Sequence, residues 1–352
     1  MLIERAMISD FLKESGVDAA FIEKDENCRY ISGFTGSDSY LFLTADDCYL
    51  LTDSRYTEQA KEEAKGFTII DYAGKLAKTV GELSAKHHVT RFGIEAGMTY
   101  KMYLSFDEVL PETDFVFVVP DTLRQIKSAE EIRLIEEACR ISDLGFEKTV
   151  PYIKAGVTEA ELRTILECAM LEAGSEGKSF DTIVASGLHS AMPHAVPTAK
   201  KLEKGDFITM DFGCRYDGYC SDMTRTVVLG EASSKQKEIY GIVLKAQMAA
   251  LEQICAGKTG SEVDQVARGL IAEAGYGEYF GHGLGHSVGL FIHEEPRLSP
   301  KCHSVLQKNM TMTVEPGIYI PEFGGVRIED LVVITEKGCR NLAHSPKELI
   351  EL

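Results

Sequence analysis

In the stretch Phe207-Ile-Thr-Met-Asp211-Phe-Gly213, a mainly apolar run ends on a carboxylate two positions before a glycine. The stretch Met310-Thr-Met-Thr-Val-Glu315-Pro-Gly317 follows the same plan, and Glu315 stands 104 positions after Asp211. Short apolar runs with β-branched residues, bounded by glycine, are typical of buried strands. Both stretches are therefore predicted to be strands that deliver one carboxylate each.

A helical pattern precedes each of these strands. Ala155-Gly156 and Glu172-Ala-Gly174 bracket the first pattern, and Ala256-Gly257 and Glu273-Ala-Gly275 bracket the second, at a constant offset of 101 positions. A glycine just after the last turn commonly ends a helix. We interpret the pattern as a duplicated helix-plus-strand unit that places the two carboxylates across a pseudo-twofold axis. Chance similarity is the alternative, because helix-ending Ala-Gly pairs are common.

Each predicted strand opens a hairpin that adds a second carboxylate. The turn Tyr216-Asp-Gly-Tyr219 is followed by Asp222, and the turn Pro321-Glu-Phe-Gly-Gly325 is followed by Glu329. A carboxylate within an apolar strand is unfavourable unless it is paired, protonated or bound to a cation. Taken singly, each acid could be an ordinary hairpin charge. Together they indicate that positive charge, such as a divalent metal pair, lies between the hairpins.

The segment His282-Gly-Leu-Gly-His286-Ser-Val-Gly-Leu-Phe-Ile-His293 adds imidazoles, and its glycines allow a backbone close to a ligand. Imidazole ligates transition metals and also exchanges protons near neutral pH. A set of five ligands is too large for one open catalytic ion, but it suits two ions that share bridging carboxylates. Manganese is favoured for this chemistry, with cobalt or zinc as alternatives. The five candidate ligands are Asp211, Asp222, His286, Glu315 and Glu329.

Another histidine, His194, stands between Pro193 and Pro197 after a strand-like run. Prolines fix the backbone, and loops held in this way often present functional side chains. We expect this loop to present His194 to a substrate. An ordinary polar loop is the alternative.

Composition excludes several classes of protein. The net charge of −18 makes nucleic acid and anionic membranes poor partners. No apolar run reaches the length that spans a bilayer, and Met1-Leu-Ile-Glu4 has an early acid and no signal-peptide core. The nine cysteines include no Cys-x-x-Cys pair, which fits reduced structural thiols. We therefore expect a cytoplasmic protein.

The length of 352 residues favours two domains. Apolar strand-like runs alternate with helical patterns up to about residue 120, which predicts an α/β domain. Pro120-Asp-Thr breaks this pattern, and Ser128-Ala-Glu-Glu131 is a capping box that opens a new helix. We predict an N-terminal domain over residues 1–124 and a catalytic domain over residues 125–352.

These residues closely resemble the methionine aminopeptidase and proline-peptidase superfamily of metallopeptidases. The histidine segment matches the proline-peptidase motif, and the five candidate ligands match the family's metal ligands in identity and order. Tyr30-Ile-Ser-Gly-Phe-Thr-Gly36 and Leu51-Thr-Asp-Ser-Arg-Tyr56 resemble the N-terminal domain of Xaa-Pro peptidases. The resemblance implies an α/β N-terminal domain followed by an α+β pita-bread catalytic domain with duplicated helix-strand units.

The resemblance also implies roles for individual residues. His286 and Glu315 complete one metal site and Asp211 the other, while two carboxylates bridge and a water or hydroxide between the ions is the nucleophile. Glu315 shuttles the proton to the leaving nitrogen, and His293 binds the scissile carbonyl oxygen. The remaining assignments are His194 near the scissile amide, His282 beside the proline ring, Asp222 and Glu329 as the bridges, and Thr224 and Arg327 supporting the ligands, with Arg327 and Tyr56 as substrate-binding residues.

The implied activity is metal-dependent removal of the first residue from Xaa-Pro-peptides, as in bacterial Xaa-Pro aminopeptidases. The alternative is an Xaa-Pro dipeptidase (prolidase), which needs a cation or wall for the proline carboxylate. A non-catalytic binding member of the fold is a further alternative, disfavoured because all five ligands are present. The resemblance further implies a homodimer in which Arg55 or Tyr56 approaches the partner's pocket.

Overall fold

The computed structural model of this protein describes residues 5–352. The chain divides between Arg124 and Gln125 into two compact units. The prediction that the chain has no signal-peptide core was based on residues 1–4, and these lie outside the described residues. Within residues 5–352, no helix combines the length and the apolar character required to cross a membrane.

The first unit is built on one six-stranded mixed sheet with strand order β4-β3-β2-β1-β5-β6. The strands β1 and β5 pair in parallel, as do β5 with β6 and β3 with β4, whereas β2 pairs antiparallel with both β1 and β3. The elements of this unit are α1 (Arg5–Ser15), β1 (Ala19–Ile22), α2 (Asp25–Ser32), β2 (Tyr40–Thr44), β3 (Cys48–Thr52), α3 (Thr57–Glu63), β4 (Thr68–Asp71), α4 (Leu76–Lys86), β5 (Arg91–Glu95), α5 (Tyr100–Val109) and β6 (Asp114–Val118).

The apolar runs of the sequence become the centre of this sheet, and β1 and β3 are buried along their whole length. Three helices of this unit, α1, α2 and α5, and the strand β5 were not predicted. α2 opens with the polar run Asp25-Glu-Asn27 and is only eight residues long, which is shorter than the windows over which apolar periodicity predicts a helix. α5 is rich in aromatic residues, which favour strands, but Thr99 caps it by accepting a hydrogen bond from the Met102 amide.

The second unit combines four long helices with small antiparallel sheets. Its helices and strands are α6 (Ala129–Thr149), α7 (Glu159–Glu172), β7 (Gly177–Lys178), β8 (Ile183–Ser186), β9 (Phe207–Phe212), β10 (Cys214–Tyr216), β11 (Tyr219–Cys220), β12 (Met223–Val228), α8 (Ser234–Gln253), α9 (Gly260–Glu273), β13 (Gly285–Ser287), β14 (Glu294–Leu298), β15 (Thr311–Val314), β16 (Gly317–Ile320), β17 (Gly324–Arg327), β18 (Asp330–Ile334) and β19 (Cys339–Asn341). The capping box predicted at Ser128 and Glu131 is present at the start of α6.

The predicted duplication is visible in the backbone. Thr158 with Glu161 and Thr259 with Glu262 form capping boxes on α7 and α9, which are both 14 residues long. The bridge between Thr158 and Lys201 is repeated between Thr259 and Val305. In each half, the helix start therefore pairs with the segment that leads into the carboxylate-bearing hairpin.

In each of the two hairpins, the predicted carboxylates lie at or next to the same end of the paired strands. β9 pairs with β12, with Thr224 opposite Asp211, so Asp222 lies at the start of the returning strand. β15 pairs with β18 through Val314 and Asp330, so Glu315 and Glu329 lie just beyond that pairing. The apolar faces of the hairpins and helices form the hydrophobic core of this unit, and the polar ends of the strands surround a cavity.

Candidate metal centre

A cavity of about 820 Å³ opens in the second unit. Apolar residues form part of its wall, among them Phe180, Ile183 and Val196. Its polar lining includes nearly every candidate residue predicted for the second unit: His194, Asp211, Asp222, His282, His286, His293, Glu315, Arg327 and Glu329.

Three of the predicted ligands form the tightest cluster. One ligand atom each from Asp222, His286 and Glu329 lies within 4.8 Å of the others. His286 Nε2 is 3.5 Å from Asp222 Oδ2 and 3.4 Å from Glu315 Oε1. His286 Nδ1 is 3.1 Å from the Ser287 carbonyl oxygen, to which it donates. This bond leaves Nε2 with a free lone pair toward the carboxylates, as a metal-ligating imidazole requires.

Burial dominates the electrostatics of these carboxylates. Burial, followed by the charges of Glu329, Asp211 and Glu315, raises the pKa of Asp222 well above its usual value. Burial likewise raises the pKa of Glu315 to about 8 and that of Glu329 well above its ordinary range. Burial also lowers the pKa of His286 to about 3, so its imidazole is neutral. The neutral imidazole therefore adds no positive charge to these three carboxylates, and divalent cations would supply it.

Asp211 provides a separate test of whether the cluster fits a metal. Its Oδ2 accepts a 2.6 Å hydrogen bond from Arg327, whereas its Oδ1 is buried and has no hydrogen-bond partner within residues 5–352. A buried carboxylate oxygen without a partner is costly. An open oxygen on Asp211, together with three carboxylates and a neutral imidazole, fits a site for divalent cations.

A hydrogen-bonded chain runs from Asp211 to the cavity wall. Arg327 is 3% exposed and also donates to Thr224 Oγ1 at 3.0 Å and to Tyr319 Oη at 2.7 Å. His282 Nε2 lies 3.0 Å from the same Tyr319 hydroxyl. Burial and the nearby Arg327 charge lower the pKa of His282 to about 4. Arg327 and a neutral His282 are thus held together behind Asp211.

Thr224 connects the two hairpins at the other side of the site. Its hydroxyl donates to Glu329 Oε2 at 2.6 Å, and Thr313 Oγ1 donates to Glu315 Oε1 at 3.0 Å. Each of these carboxylates is therefore oriented by a neighbouring threonine, which leaves its other oxygen available.

Of the remaining predicted residues, two histidines line the cavity and Tyr56 lies in the other unit. His194 and His293 are exposed side chains of the cavity lining, and the ring of His293 stands 4.6 Å from that of His286. Burial, followed by the charge of Arg297, lowers the pKa of His293. Tyr56 belongs to the first unit, where its hydroxyl bonds Ser37 at 2.9 Å.

Sequence reasoning missed several residues of the site. Tyr319 reaches His282 through a contact between residues that are distant in sequence. Arg297 is brought to the cavity by the fold of strand β14. Arg297 lines the cavity, and its Nε donates to Glu295 at 3.2 Å. The position of Arg297 four residues after His293 is the one sequence signal that could have found it.

Gly283 and Gly285 of the histidine segment line the cavity and also allow close packing within the unit. A Cβ atom on Gly285 would overlap the carbonyl oxygen of Thr313, and one on Gly283 would press on that of Leu298. The close approach is therefore to neighbouring strands of the same unit. It seats His286 against β15.

Comparisons with known proteins agree with this geometry. An Xaa-Pro dipeptidase from Pyrococcus furiosus is 42% identical over 97% of this chain and 97% of its own. The structure of an Xaa-Pro dipeptidase from Bacillus anthracis superimposes with a TM-score of 0.96 at 42% identity, over 99% of both chains. That of an X-Pro aminopeptidase from Thermotoga maritima has a TM-score of 0.91 at 38% identity, also over 99% of both.

Family models assign both parts of the chain. Residues 5–126 match the creatinase/prolidase N-terminal domain, and residues 133–336 match metallopeptidase family M24. These matches and the solved structures confirm the two-part fold predicted from the sequence, with its pita-bread catalytic domain. The chain is an enzyme, and it belongs to the metallopeptidase family M24.

Proposed function

We propose that this enzyme is an Xaa-Pro dipeptidase that uses two divalent metal ions, with manganese favoured. The sequence favoured an aminopeptidase, but relatives named Xaa-Pro dipeptidase match the whole chain at 42% and 41% identity. The single observation that carries the choice is Arg297, a cation in the cavity wall. Such a cation is what a dipeptidase needs for the free proline carboxylate.

Arg297 is suited to this role by its surroundings. Its charge helps burial to lower the pKa of His293, and it offsets part of the rise that burial produces in the pKa of Glu315, so it acts on the region of the catalytic candidates. Its ion pair with Glu295 is made through Nε, which leaves the two terminal nitrogens without an acceptor among the described residues. A guanidinium with two open nitrogens matches a carboxylate in a bidentate pair.

The ligands would be Asp211, Asp222, His286, Glu315 and Glu329, with Asp222 and Glu329 shared. When bound, the two ions supply Lewis acidity and lower the pKa of water. Glu315 takes the proton from the attacking water and returns it to the proline nitrogen, which has no hydrogen of its own in an Xaa-Pro bond. His293, neutral because its pKa is lowered, donates a hydrogen bond to the carbonyl oxygen as negative charge develops there.

His194 and His282 would hold the substrate. His194 stands on the cavity rim between two prolines, where it can contact the peptide near the scissile bond. His282 is fixed by Tyr319 and forms a wall against which a pyrrolidine ring can pack. A pocket shaped in this way accepts a tertiary amide that enzymes requiring a peptide N–H reject.

The test compares Ala-Pro with its amide, Ala-Pro-NH2, in the wild-type protein and in Arg297→Met with Mn²⁺. We expect kcat/KM for Ala-Pro to fall about 100-fold in the variant, because a charge-assisted pair is lost. Hydrolysis of the amide should change less than threefold. An equal effect on both substrates, or a wild-type enzyme that prefers Ala-Pro-Ala over Ala-Pro, would refute the dipeptidase assignment.

The second candidate function is an Xaa-Pro aminopeptidase. The likeness to the X-Pro aminopeptidase from Thermotoga maritima and the large volume of the cavity favour it. Rapid release of the first residue from Ala-Pro-Ala-Ala, with little action on Ala-Pro, would select this alternative.

A further inference from the structure

The carboxylate of Glu159 lies outside the proposed metal site and is completely buried at the first position of α7. It accepts hydrogen bonds from the Ser186 amide at 2.8 Å and the Ser186 hydroxyl at 2.9 Å. It also accepts from the Thr198 amide at 3.0 Å and the Thr198 hydroxyl at 2.7 Å. One carboxylate therefore joins two points of the chain that are 12 positions apart.

Residues 187–197, which lie between these two points, form what we call the His194 loop. His189 Nδ1 lies 2.9 Å from Glu159 Oε2, so the loop is tied to the carboxylate from within as well. The first turn of α7 adds backbone bonds, from the Glu159 amide to the Lys200 oxygen and from the Ala160 amide to the Thr198 oxygen. The base of the loop is thus closed by a single buried group.

The His194 loop forms one wall of the cavity, through Pro193, His194, Ala195, Val196 and Pro197. Its middle is held from the opposite side, where Ser190 Oγ accepts from the Gly325 amide at 2.9 Å. The loop contains one short 3-10 helix, Gly187–Ala191, and Arg327 also donates to the Pro193 oxygen at 3.4 Å, so its position depends on a small number of anchors. Glu159 is the anchor that reaches both ends.

The charge of Glu159 is what makes this anchor strong. Burial raises the pKa of its carboxyl, but the hydrogen bonds from Thr198, His189 and Ser186 outweigh burial and hold the pKa below its usual value. The group is therefore ionised at neutral pH. Hydrogen bonds to an ionised acceptor are about twice as strong as neutral ones.

The second half of the duplicated unit holds its histidine-bearing segment through a different acidic residue. The position that corresponds to Glu159 is Gly260, where a Cβ atom would overlap the Arg297 carbonyl oxygen. One turn later, Asp264 accepts from the Leu284 amide at 3.0 Å, and Arg268 donates to the His282 oxygen at 2.7 Å. Each half thus uses an acid near the start of its second helix to hold a histidine-bearing segment.

We propose that Glu159 is a positioning residue for the reaction, which sets the place of His194 and the apolar wall beside it without touching the substrate. The inference rests on the proposed Xaa-Pro peptidase function, because His194 acquires its role there. It predicts that loss of the Glu159 charge loosens the loop and misplaces His194 while the metal ligands stay intact.

The test compares Glu159→Gln with Glu161→Gln, a matched change two positions along the same helix. Glu161 caps α7 through Thr158 at the exposed end and makes no contact with the His194 loop in the structure. We expect kcat for Ala-Pro to fall about tenfold to a hundredfold in Glu159→Gln, because small misplacements of a substrate contact are costly. KM should change less than threefold, and Glu161→Gln should retain wild-type kcat.

Hydrogen–deuterium exchange gives a readout that does not depend on activity. Amides of residues 187–197 should exchange at least tenfold faster in Glu159→Gln, with manganese content unchanged by metal analysis. If that variant does not fold, Thr198→Val removes one bond to Glu159 and should show the same changes at smaller size. Unchanged exchange and kcat in a folded variant would overturn the inference. An inactive wild-type protein would instead count against the proposed function.

Discussion

Arg327 donates a 2.6 Å hydrogen bond to Asp211 Oδ2, while Asp211 Oδ1 is buried without a hydrogen-bond partner among residues 5–352. The same guanidinium holds Thr224 and Tyr319. Arg327 therefore fixes the direction in which the open oxygen of Asp211 points. The proposed metal site would therefore depend on a residue that need not touch a metal ion.

Substituting Arg327 by lysine tests this dependence. Arg327→Lys keeps the charge but cannot serve three acceptors with a planar fork. We expect manganese affinity to fall about 10- to 100-fold, as is usual when a partner of a ligand is lost. Titration calorimetry measures the affinity. Arg340→Lys, which alters an exposed pair with Glu136, is the control and should bind manganese like the wild type.

Asp222→Asn should abolish metal binding at one or both sites and remove activity, because Asp222 is a proposed bridge. At pH 8 the free energy of unfolding of the metal-free variant should nevertheless exceed that of the metal-free wild type by about 1–2 kcal/mol. A carboxyl whose pKa is raised in the folded state destabilises that state above its unfolded pKa. The gain should therefore vanish below about pH 4.

The measurement is denaturant unfolding of the wild type and of Asp222→Asn in EDTA, at pH 8 and below about pH 4. Asp217→Asn, in the turn of the same hairpin, is the control because its left-handed backbone suits asparagine. Lower stability of metal-free Asp222→Asn at pH 8 would contradict the clustering of charge described above.

Lys127 and Glu294 form a buried ion pair at 2.9 Å beside the histidine segment, with side-chain exposures of 1% and 3%. Lys127→Met leaves the Glu294 charge buried without this partner. We expect the free energy of unfolding to fall by about 3–5 kcal/mol. Lys308→Met, at an exposed pair with Glu336, should cost less than about 1 kcal/mol.

The double variant Lys127→Met/Glu294→Gln sharpens this test. Removal of both charges should restore most of the lost stability, because replacing a whole buried pair is often nearly neutral. Equal destabilisation in the single and double variants would show that shape, and not charge, determines the effect.

Asp121 in the first unit predicts an acid-dependent loss of stability that is independent of any metal. Burial raises its pKa, but hydrogen bonds from Lys24 and Asn27 and the charge of Arg124 outweigh burial and lower the pKa. A lowered carboxyl pKa contributes stability above the unfolded value, about 3.9, and that contribution disappears as pH falls through the folded value. Asp121→Asn should therefore be less stable than wild type at pH 7.

The difference should stay constant down to about pH 5 and shrink below about pH 4, as measured by urea unfolding. Asp107→Asn, at an exposed position of α5, should show no such dependence. A difference between Asp121→Asn and wild type that is the same at pH 3 and pH 7 would contradict the prediction.

Local patterns predicted much of the fold. The apolar runs of β1, β2, β3, β4 and β6, the capping box at Ser128 and the hairpin turn at Tyr216 are local features, and the structure confirms them within one or two residues, whereas β5 was not predicted. Helices α1, α2 and α5 were missed, and α2 is only eight residues long with a polar first turn. The comparisons confirm the two-part fold and the metallopeptidase family that the motifs implied.

The sequence could propose the ligand types of the site but not their surroundings. Tyr319 and Glu159 act through contacts with His282 and Thr198, which are 37 and 39 positions away. No periodicity or spacing reports such a contact. The choice between dipeptidase and aminopeptidase likewise depends on where Arg297 lies relative to the cavity, which only the fold determines.

The hydrogen bond between Thr224 and Glu329 joins the two hairpins across 105 positions of chain. The first hairpin is complete on the ribosome long before the second is synthesised, so its carboxylates remain in water during that time. The repulsion of Asp222 by Glu315 and Glu329 then arises only when the second hairpin docks. Docking of the C-terminal half is therefore the step of folding at which divalent cations can act, and a chain that ends before Thr311 should gain no stability from manganese.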